Sequence, residues 1–325
     1  MLNNSLQCPP ELPMDILETI SRYYAEIHHG LHRNHLLIIS SVFTNAMRRN
    51  VFAYLTVDPW VPGGLPAIIQ RLQAFLELAD SSARMDGLSP ISRMVKTVDL
   101  TLAAATTYVT ENPATIDLLV RIAKGVFPIS RFVLHFTTLS GNRPFKSLSP
   151  FFQQHLIDVF HSRHLRHISL AHVKELPRTA LLSPHLEVME LTAVSFSDVD
   201  SERFEASCWD TEPTLLSLSL RRTAIPFPIS SRGTRNGVEF YRKLRHLQFD
   251  EADLPHLQGI LDQNDGSLSS LSIRVKGPIF RGSSSSWCLS VLRNLTYHHQ
   301  IMPPSTRQCC SISDVFPASL HSISR

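Results

Sequence analysis

The chain has 325 residues, 43% hydrophobic and 18% charged, a composition that excludes a disordered chain and describes an ordered, soluble one. Its 31 Lys and Arg against 28 Asp and Glu leave a net +3, too small and too scattered to point to nucleic acid. The length suits one elongated domain or two compact ones.

The five cysteines, Cys8, Cys208, Cys288, Cys309 and Cys310, are odd in number and lack C-x-x-C spacing. That argues against a disulfide framework or a zinc module. Reduced thiols in the cytoplasm or nucleus are expected. The amino terminus shows no positive-then-apolar leader, and no apolar run approaches the roughly 18 residues that span a bilayer, so no membrane is expected.

In chain order, residues 1–11 form a polar lead-in ending at Pro9-Pro10. A helix then starts at Leu12-Pro13, where the missing proline N–H costs nothing. Its apolar face is Leu12, Ile16, Leu17 and Ile20. Residues 21–35 read as a loop or frayed helix end containing His28, His29, His32 and His35. These four form the densest group of ligating side chains, but a solvated loop is the default and no metal site is expected. A second apolar helix covers Leu36 to Met47, and Val51 to Val57 ends it and begins a strand. After a loop at 59–64, Leu65 to Ala79 is an amphipathic helix with the stripe Ile68, Ile69, Leu72, Phe75, Leu76 and Ala79. Residues 80–91 are a polar link before the first clear strand, Val95 to Leu102. Asn112-Pro113 caps a helix that stops at Gly125. Strand 132–136 follows. Ser149-Pro150 caps another helix carrying Phe152, Leu156, Val159 and Phe160. Asp253-Leu254-Pro255 opens a last helix ending at Asn264 or Gly266. The Ser283–Ser286 run is a flexible tip, and 303–325 is a weakly ordered or truncated tail.

A six-residue phrase organises this series: apolar, two others, apolar, one other, apolar. It occurs as Leu165 to Leu170 and returns from Leu186, Leu215, Leu244, Leu268 and Leu292, with a weaker copy at Leu320. Val95 and Ile129 begin two earlier copies. Strands at intervals of 21 to 36 residues, with room for helices between, fit an irregular leucine-rich solenoid whose units must stack to bury their apolar edges. The position that carries asparagine in regular repeats holds Val173, Val194, Thr223 and Ala252, so no asparagine ladder is present. The expected fold is α/β, with a parallel sheet, right-handed crossovers and helices outside.

The opening Leu12-Pro13-Met14-Asp15-Ile16-Leu17-Glu18-Thr19-Ile20 resembles the F-box. The apolar helix Leu37-Ile38-Ile39-Ser40-Ser41-Val42-Phe43 resembles its second part, with Phe43 where the F-box-like proteins of mushroom-forming fungi carry Trp. Arg49-Asn50-Val51-Phe52 matches the Arg-x-x-Phe found before their first strand. In that family degenerate leucine-rich repeats follow. The resemblance implies an F-box-like region over 1–60, a degenerate solenoid over 61–302 and the tail over 303–325. It further implies a non-enzymatic substrate receptor of an SCF-type ubiquitin ligase. Leu12, Pro13, Ile16, Leu17, Ile20, Ile39 and Phe43 would then contact a Skp-type adaptor while the repeats hold a protein substrate. The alternative is a leucine-rich-repeat interaction scaffold without a ligase role, its first helices capping the repeats.

No phosphate-binding glycine loop, G-x-S-x-G elbow or H-E-x-x-H helix occurs, so neither enzymatic chemistry nor a cofactor is expected. Functional side chains are expected at the outward positions of the phrases, on a concave strand face: Asp99, Arg131, His135, His167, Glu190, Arg221, His246, Asp250, Arg274 and His298. This mixed-charge row suits a protein partner.

Overall fold

The structure is a computed structural model that describes residues 49–58, 64–84, 89–102, 106–137, 143–197, 214–223, 225–226, 240–250, 257–264, 266–275 and 294–299. The helices expected over 12–47, the four histidines there, all five cysteines and the tail lie outside the described residues.

The described strands are β1 (Tyr54–Val57), β2 (Thr97–Leu102), β3 (Arg131–Phe136), β4 (Arg143–Pro144), β5 (His167–Ala171), β6 (Val173–Lys174), β7 (Val188–Thr192), β8 (Ser217–Arg221), β9 (His246–Asp250), β10 (Ser270–Val275) and β11 (Asn294–His299). All except β4 and β6, which pair with each other, form one parallel sheet in which strand order follows chain order. The described helices are α1 (Gly64–Ser82), α2 (Ile91–Met94), α3 (Thr106–Thr110), α4 (Pro113–Ala123), α5 (Pro150–Phe160) and α6 (Leu257–Gln263). The fold is therefore mixed α/β around a parallel sheet.

The phrase explains the register. Its first residue, apolar, is buried below the entry to each strand: Val95, Ile129, Leu165, Leu186, Leu215, Leu244 and Leu268. Its second residue supplies a carbonyl that accepts two consecutive N–H groups from the next unit. Lys96 accepts from Ser130 and Arg131, Ser130 from Arg166 and His167, and Arg166 from Glu187 and Val188. Glu187, Leu216 and Arg245 repeat the arrangement, and all these bonds measure 2.8–3.0 Å. A carbonyl has two lone pairs, so both are used and no entry N–H is left unpaired. The third residue opens the strand, and alternation does the rest. Val98, Leu100 and Leu102, then Phe132, Leu134 and Phe136, point to the core, while their neighbours are half-buried on the other face.

One unit lies upstream of the first expected phrase, in the stretch Val51 to Val57 where a helix end and the beginning of a strand are expected. Ala53 accepts from Lys96 and Thr97, and β1 runs in register with β2. The sheet thus begins before residue 60, inside the stretch assigned to the amino-terminal helical region.

α1, α4, α5 and α6 fall where their patterns place them, and their stripes join the inner face of the sheet in one hydrophobic cluster. Phe132 of β3 meets Phe160 of α5 edge-on at 5.9 Å, and Phe75 of α1 stacks on Phe127 at 5.9 Å. Phe127, Phe132 and Phe160 are fully buried, and each contributes roughly 1.5–3 kcal/mol through removal from water. Asn112 accepts from the Ala114 N–H at 3.0 Å, and Ser149 from the Phe152 N–H at 3.3 Å, as N-caps do. Gly125 closes α4 at φ +74°, and a Cβ there would lie 3.3 Å from His164 Nε2. The link expected over 80–91 is shorter, because α1 runs to Ser82 and α2 starts at Ile91; α3 was also not expected. After β5 the connectors shrink, a 3-10 turn at Arg178–Leu181 standing where earlier units carry a full helix.

At the far end a single side chain joins two units. The Asn264 amide nitrogen donates to the carbonyls of Tyr241 and Leu244, both at 2.9 Å. Its oxygen accepts from the N–H groups of Gly266 at 3.0 Å and Leu268 at 3.1 Å. Leu244 and Leu268 begin successive phrases, so Asn264 fixes their separation. Asn264→Leu keeps the branched shape but removes these bonds, together with those to the Arg242 carbonyl and Ser267 hydroxyl, and should destabilise the chain by about 2–3 kcal/mol. Urea unfolding checks this; a loss below about 0.5 kcal/mol would show that the bonds are replaced by water.

Candidate functional site

The outward face of the sheet collects the ionisable side chains. Register places three cross-strand rows on it. The first runs Tyr54, Thr97, Arg131, His167, Val188, Ser217, His246, Ser270 and Asn294. The second runs Thr56, Asp99, Val133, Ser169, Glu190, Ser219, Gln248, Ser272 and Thr296. The third contains Thr101, His135, Ala171, Thr192 and Arg221. Asp250, Arg274 and His298 are aligned with one another on β9, β10 and β11. Adjacent strands lie about 4.8 Å apart, so row neighbours are within side-chain reach.

The structure brings part of the predicted set together. Glu190 is approached by two basic side chains from strands on the same side: Arg131 Nη2 lies 3.5 Å and His167 Nε2 3.4 Å from its Oε2. These are ion-pair lengths. The His167 nitrogen has no aligned hydrogen bond among the described residues. Arg131 reaches Glu190 over β5, and His167 fills the intervening strand. The His167 ring beside it holds the Glu190 carboxyl below its ordinary value; burial opposes this, and Ser169 and Arg131 assist. Both Arg131 and Glu190 side chains are 41% exposed, so the pair orders the face more than it stabilises the fold.

Asp99 behaves oppositely. Burial pushes its carboxyl up, although the Thr101 hydroxyl donates to it at 3.4 Å and the charges of His135 and Arg131 pull the other way. His135 in turn stacks on His172, with ring centroids 5.6 Å apart and planes 20° from parallel. Burial, then the positive fields of His135 and Arg222, hold the His172 imidazole below its usual value.

Other predicted residues stay outside this cluster. Arg221 and Asp250 are half-buried and His246 is exposed on the same face, without an ion pair to the Glu190 group. Arg274 and His298 occupy the expected strand positions in β10 and β11. Leu12, Pro13, Ile16, Leu17, Ile20, Ile39 and Phe43 lie outside the described residues.

Two participants were not anticipated. His172 and Arg222 stand two residues past the last apolar position of their phrases, at corners where the backbone is left-handed (φ 60° and 53°). Ala193 holds the same corner in the unit between them, at φ 52°. The signal available was positional: each corner immediately precedes Val173, Val194 or Thr223. Those three are buried, and Thr223 supplies one polar rung. Its hydroxyl accepts from the Val194 N–H at 3.1 Å and donates to the Arg221 carbonyl at 2.9 Å. The exposed Tyr54 at the β1 edge was also missed, since β1 was not read as a unit.

Among the described residues there is no group of three or more potential metal ligands, and no helix long and apolar enough to cross a membrane. No family model matches the chain, and neither a curated protein nor a solved structure matches it significantly.

The Glu190 cluster has a titration signature. Its carboxyl should titrate below 4.5, the ordinary glutamate value. A folded pKa below the unfolded one contributes stability above the unfolded value that is lost as pH falls through the folded one. His167→Ala should move the Glu190 midpoint upward in a carboxyl-detected NMR titration. An unchanged midpoint would remove His167 as the principal cause.

Proposed function

We propose that the chain is a non-enzymatic protein-binding repeat protein, in which stacked units of a degenerate leucine-rich solenoid present their outward strand face to a protein partner. The observation that carries this reading is the unbroken register of phrase-encoded parallel strands, each giving alternate polar residues to one face while its apolar residues fill one core. Such a face offers many adjustable polar contacts over a long surface, which suits a protein better than a small molecule. The same arithmetic of one strand per phrase, with a double-accepting carbonyl at each junction, supports the leucine-rich-repeat assignment over unrelated strands.

The amino-terminal resemblance extends the reading. As an F-box-like segment, Leu12, Pro13, Ile16, Leu17, Ile20, Ile39 and Phe43 would dock on a Skp-type adaptor, and the repeats would hold a substrate for ubiquitin transfer by other subunits. The chain itself would make and break no bonds. The scaffold reading differs only in the role of residues 12–43, which would cap the first unit.

Co-purification with a Skp-type adaptor separates the two. Wild type should retain the adaptor, and Leu12→Asp/Ile16→Asp should lose it while keeping its circular dichroism and melting temperature. A well-folded wild type that retains no adaptor would overturn the receptor role and leave the scaffold.

A further inference from the structure

The carboxyl ends of β3, β5, β7 and β8 gather two imidazoles and two guanidiniums, with Asp99 facing the His135 side. The third row contributes His135 and Arg221, and the corners that follow contribute His172 and Arg222. Between them stand only Ala171, Thr192 and Ala193, side chains too short to fill the space. Two intervening strands at about 4.8 Å spacing separate the His135 strand from the Arg221 strand by roughly 14 Å. Across that distance, Thr101 through Arg221 and the three corner residues include no acidic side chain. Asp250 follows on β9 beyond Arg221 and forms no ion pair with it, and the side chains of Arg221 and Arg222 have no ion-pair partner among the described residues. Glu190, the nearest acid on β7, is already engaged by Arg131 and His167.

A second observation concerns the backbone. A non-glycine residue in the left-handed region is strained, and glycine is the relaxed choice. His172 and Arg222 nonetheless hold such positions two units apart, in electrostatic contact with each other. Ala193 holds the corner between them with a side chain too short to fill the space, so the left-handed corners set an imidazole and a guanidinium on either side of a shallow trough among the described residues.

We propose that this trough, bounded by His135 and His172 on one side and Arg221 and Arg222 on the other, binds an acidic, extended segment of a partner protein. The inference rests on the reading of the strand face as a partner-binding surface. Carboxylates spaced along an extended chain would meet guanidinium and imidazole donors at the two walls and pass over the small residues between. Arg221 and Arg222 supply planar donor forks that match a carboxylate. His172 would gain a proton on binding, because an anion offsets the fields of His135 and Arg222 that hold its charge down. The charged groups around this pair are Asp99 and Arg131 on the His135 side and Arg222 on the His172 side.

The test uses the full chain and a fluorescein-labelled decapeptide of alternating Glu and Gly, with a Gln-for-Glu peptide and an oligonucleotide of equal charge beside it. Fluorescence anisotropy should show binding of the Glu peptide, weakening as salt is added, and little binding of the Gln peptide. Arg221→Gln/Arg222→Gly should weaken it on the order of tenfold. His172→Gly should also weaken it while leaving the melting temperature undiminished, because glycine relaxes the corner. In wild type the His172 titration observed by NMR should move upward when the peptide is added. No binding, equal binding of the Gln peptide, or unchanged binding by the variants would overturn the proposal. Tighter binding of the oligonucleotide through the same residues would overturn its partner class. A protein partner held on the strand face but indifferent to both variants would remove this inference while leaving the partner-binding reading in place.

Discussion

The structure depends on one recurring arrangement, a backbone carbonyl that accepts two successive N–H groups from the following unit. Seven such junctions, from Ala53 to Arg245, fix seven successive pairs of units. In six of the seven the residue before it is apolar and buried, at Ala53 it is the half-buried Phe52, and in each the residue after it begins a strand. Side-chain identity at the junction is free: Ala, Lys, Ser, Arg, Glu, Leu and Arg all serve. This explains why the connections between units vary so much in length and form, from α1 with its 19 residues to a four-residue 3-10 turn, without disturbing the sheet. Conservation of register is enforced by backbone and by burial on one side, because a one-residue slip would turn every apolar side chain outward.

That freedom has a consequence on the outward face. Core and junction together constrain about half of each phrase, and the remaining positions are open to functional chemistry. The amino-terminal and middle units use them for charge: Arg131, His167 and Glu190 form one cluster, with Asp99, His135 and His172 beside it. Later units carry more neutral polar groups, such as Ser219 donating to Gln248 at 3.1 Å. The face is thus graded along the stack, with the positive corner near its middle. Arg121 shows that charge elsewhere is used structurally. On the helix side it bridges α4 to α1 through Asp80 while bonding Asp117 within its own helix, and its guanidinium beside Asp80 holds that carboxyl below the usual range.

Much of this order was readable from the chain. The phrase starts, the strands β2, β3, β5 and β7 to β11 and the caps at Asn112 and Ser149 follow from apolar spacing and from residues whose local hydrogen bonding is well defined, whereas the short β4 and β6 do not. The choice of outward residues followed from alternation alone, and Asp99, Arg131, His135, His167, Glu190, Arg221, His246 and Asp250 are half-buried or exposed in strands whose alternate residues are buried. Less legible were features set by contact across units. Phe52 to Val57 fits the phrase, but it adjoins a helix and its role becomes visible only through the Ala53 carbonyl. The corner residues His172 and Arg222 carry no sequence mark of a left-handed backbone, since glycine or asparagine is the usual signal there. Asn264 reads as a helix stop, and its side-chain bonds to two units depend on distances that spacing does not encode. The Thr223 rung is similar, a hydroxyl standing where an asparagine would have announced itself.

Hydrogen exchange at the junction amides tests the central claim most directly. The paired N–H groups of Ser130 and Arg131, Arg166 and His167, Glu187 and Val188, and Leu216 and Ser217 should exchange slowly and together, because each pair shares one acceptor and each unit rests on the next. Slow, matched exchange through all four pairs is the result expected of a stacked parallel sheet. Rapid exchange at one member of each pair, or at whole units in the middle of the series, would contradict the double-accepting junction and the fold built on it.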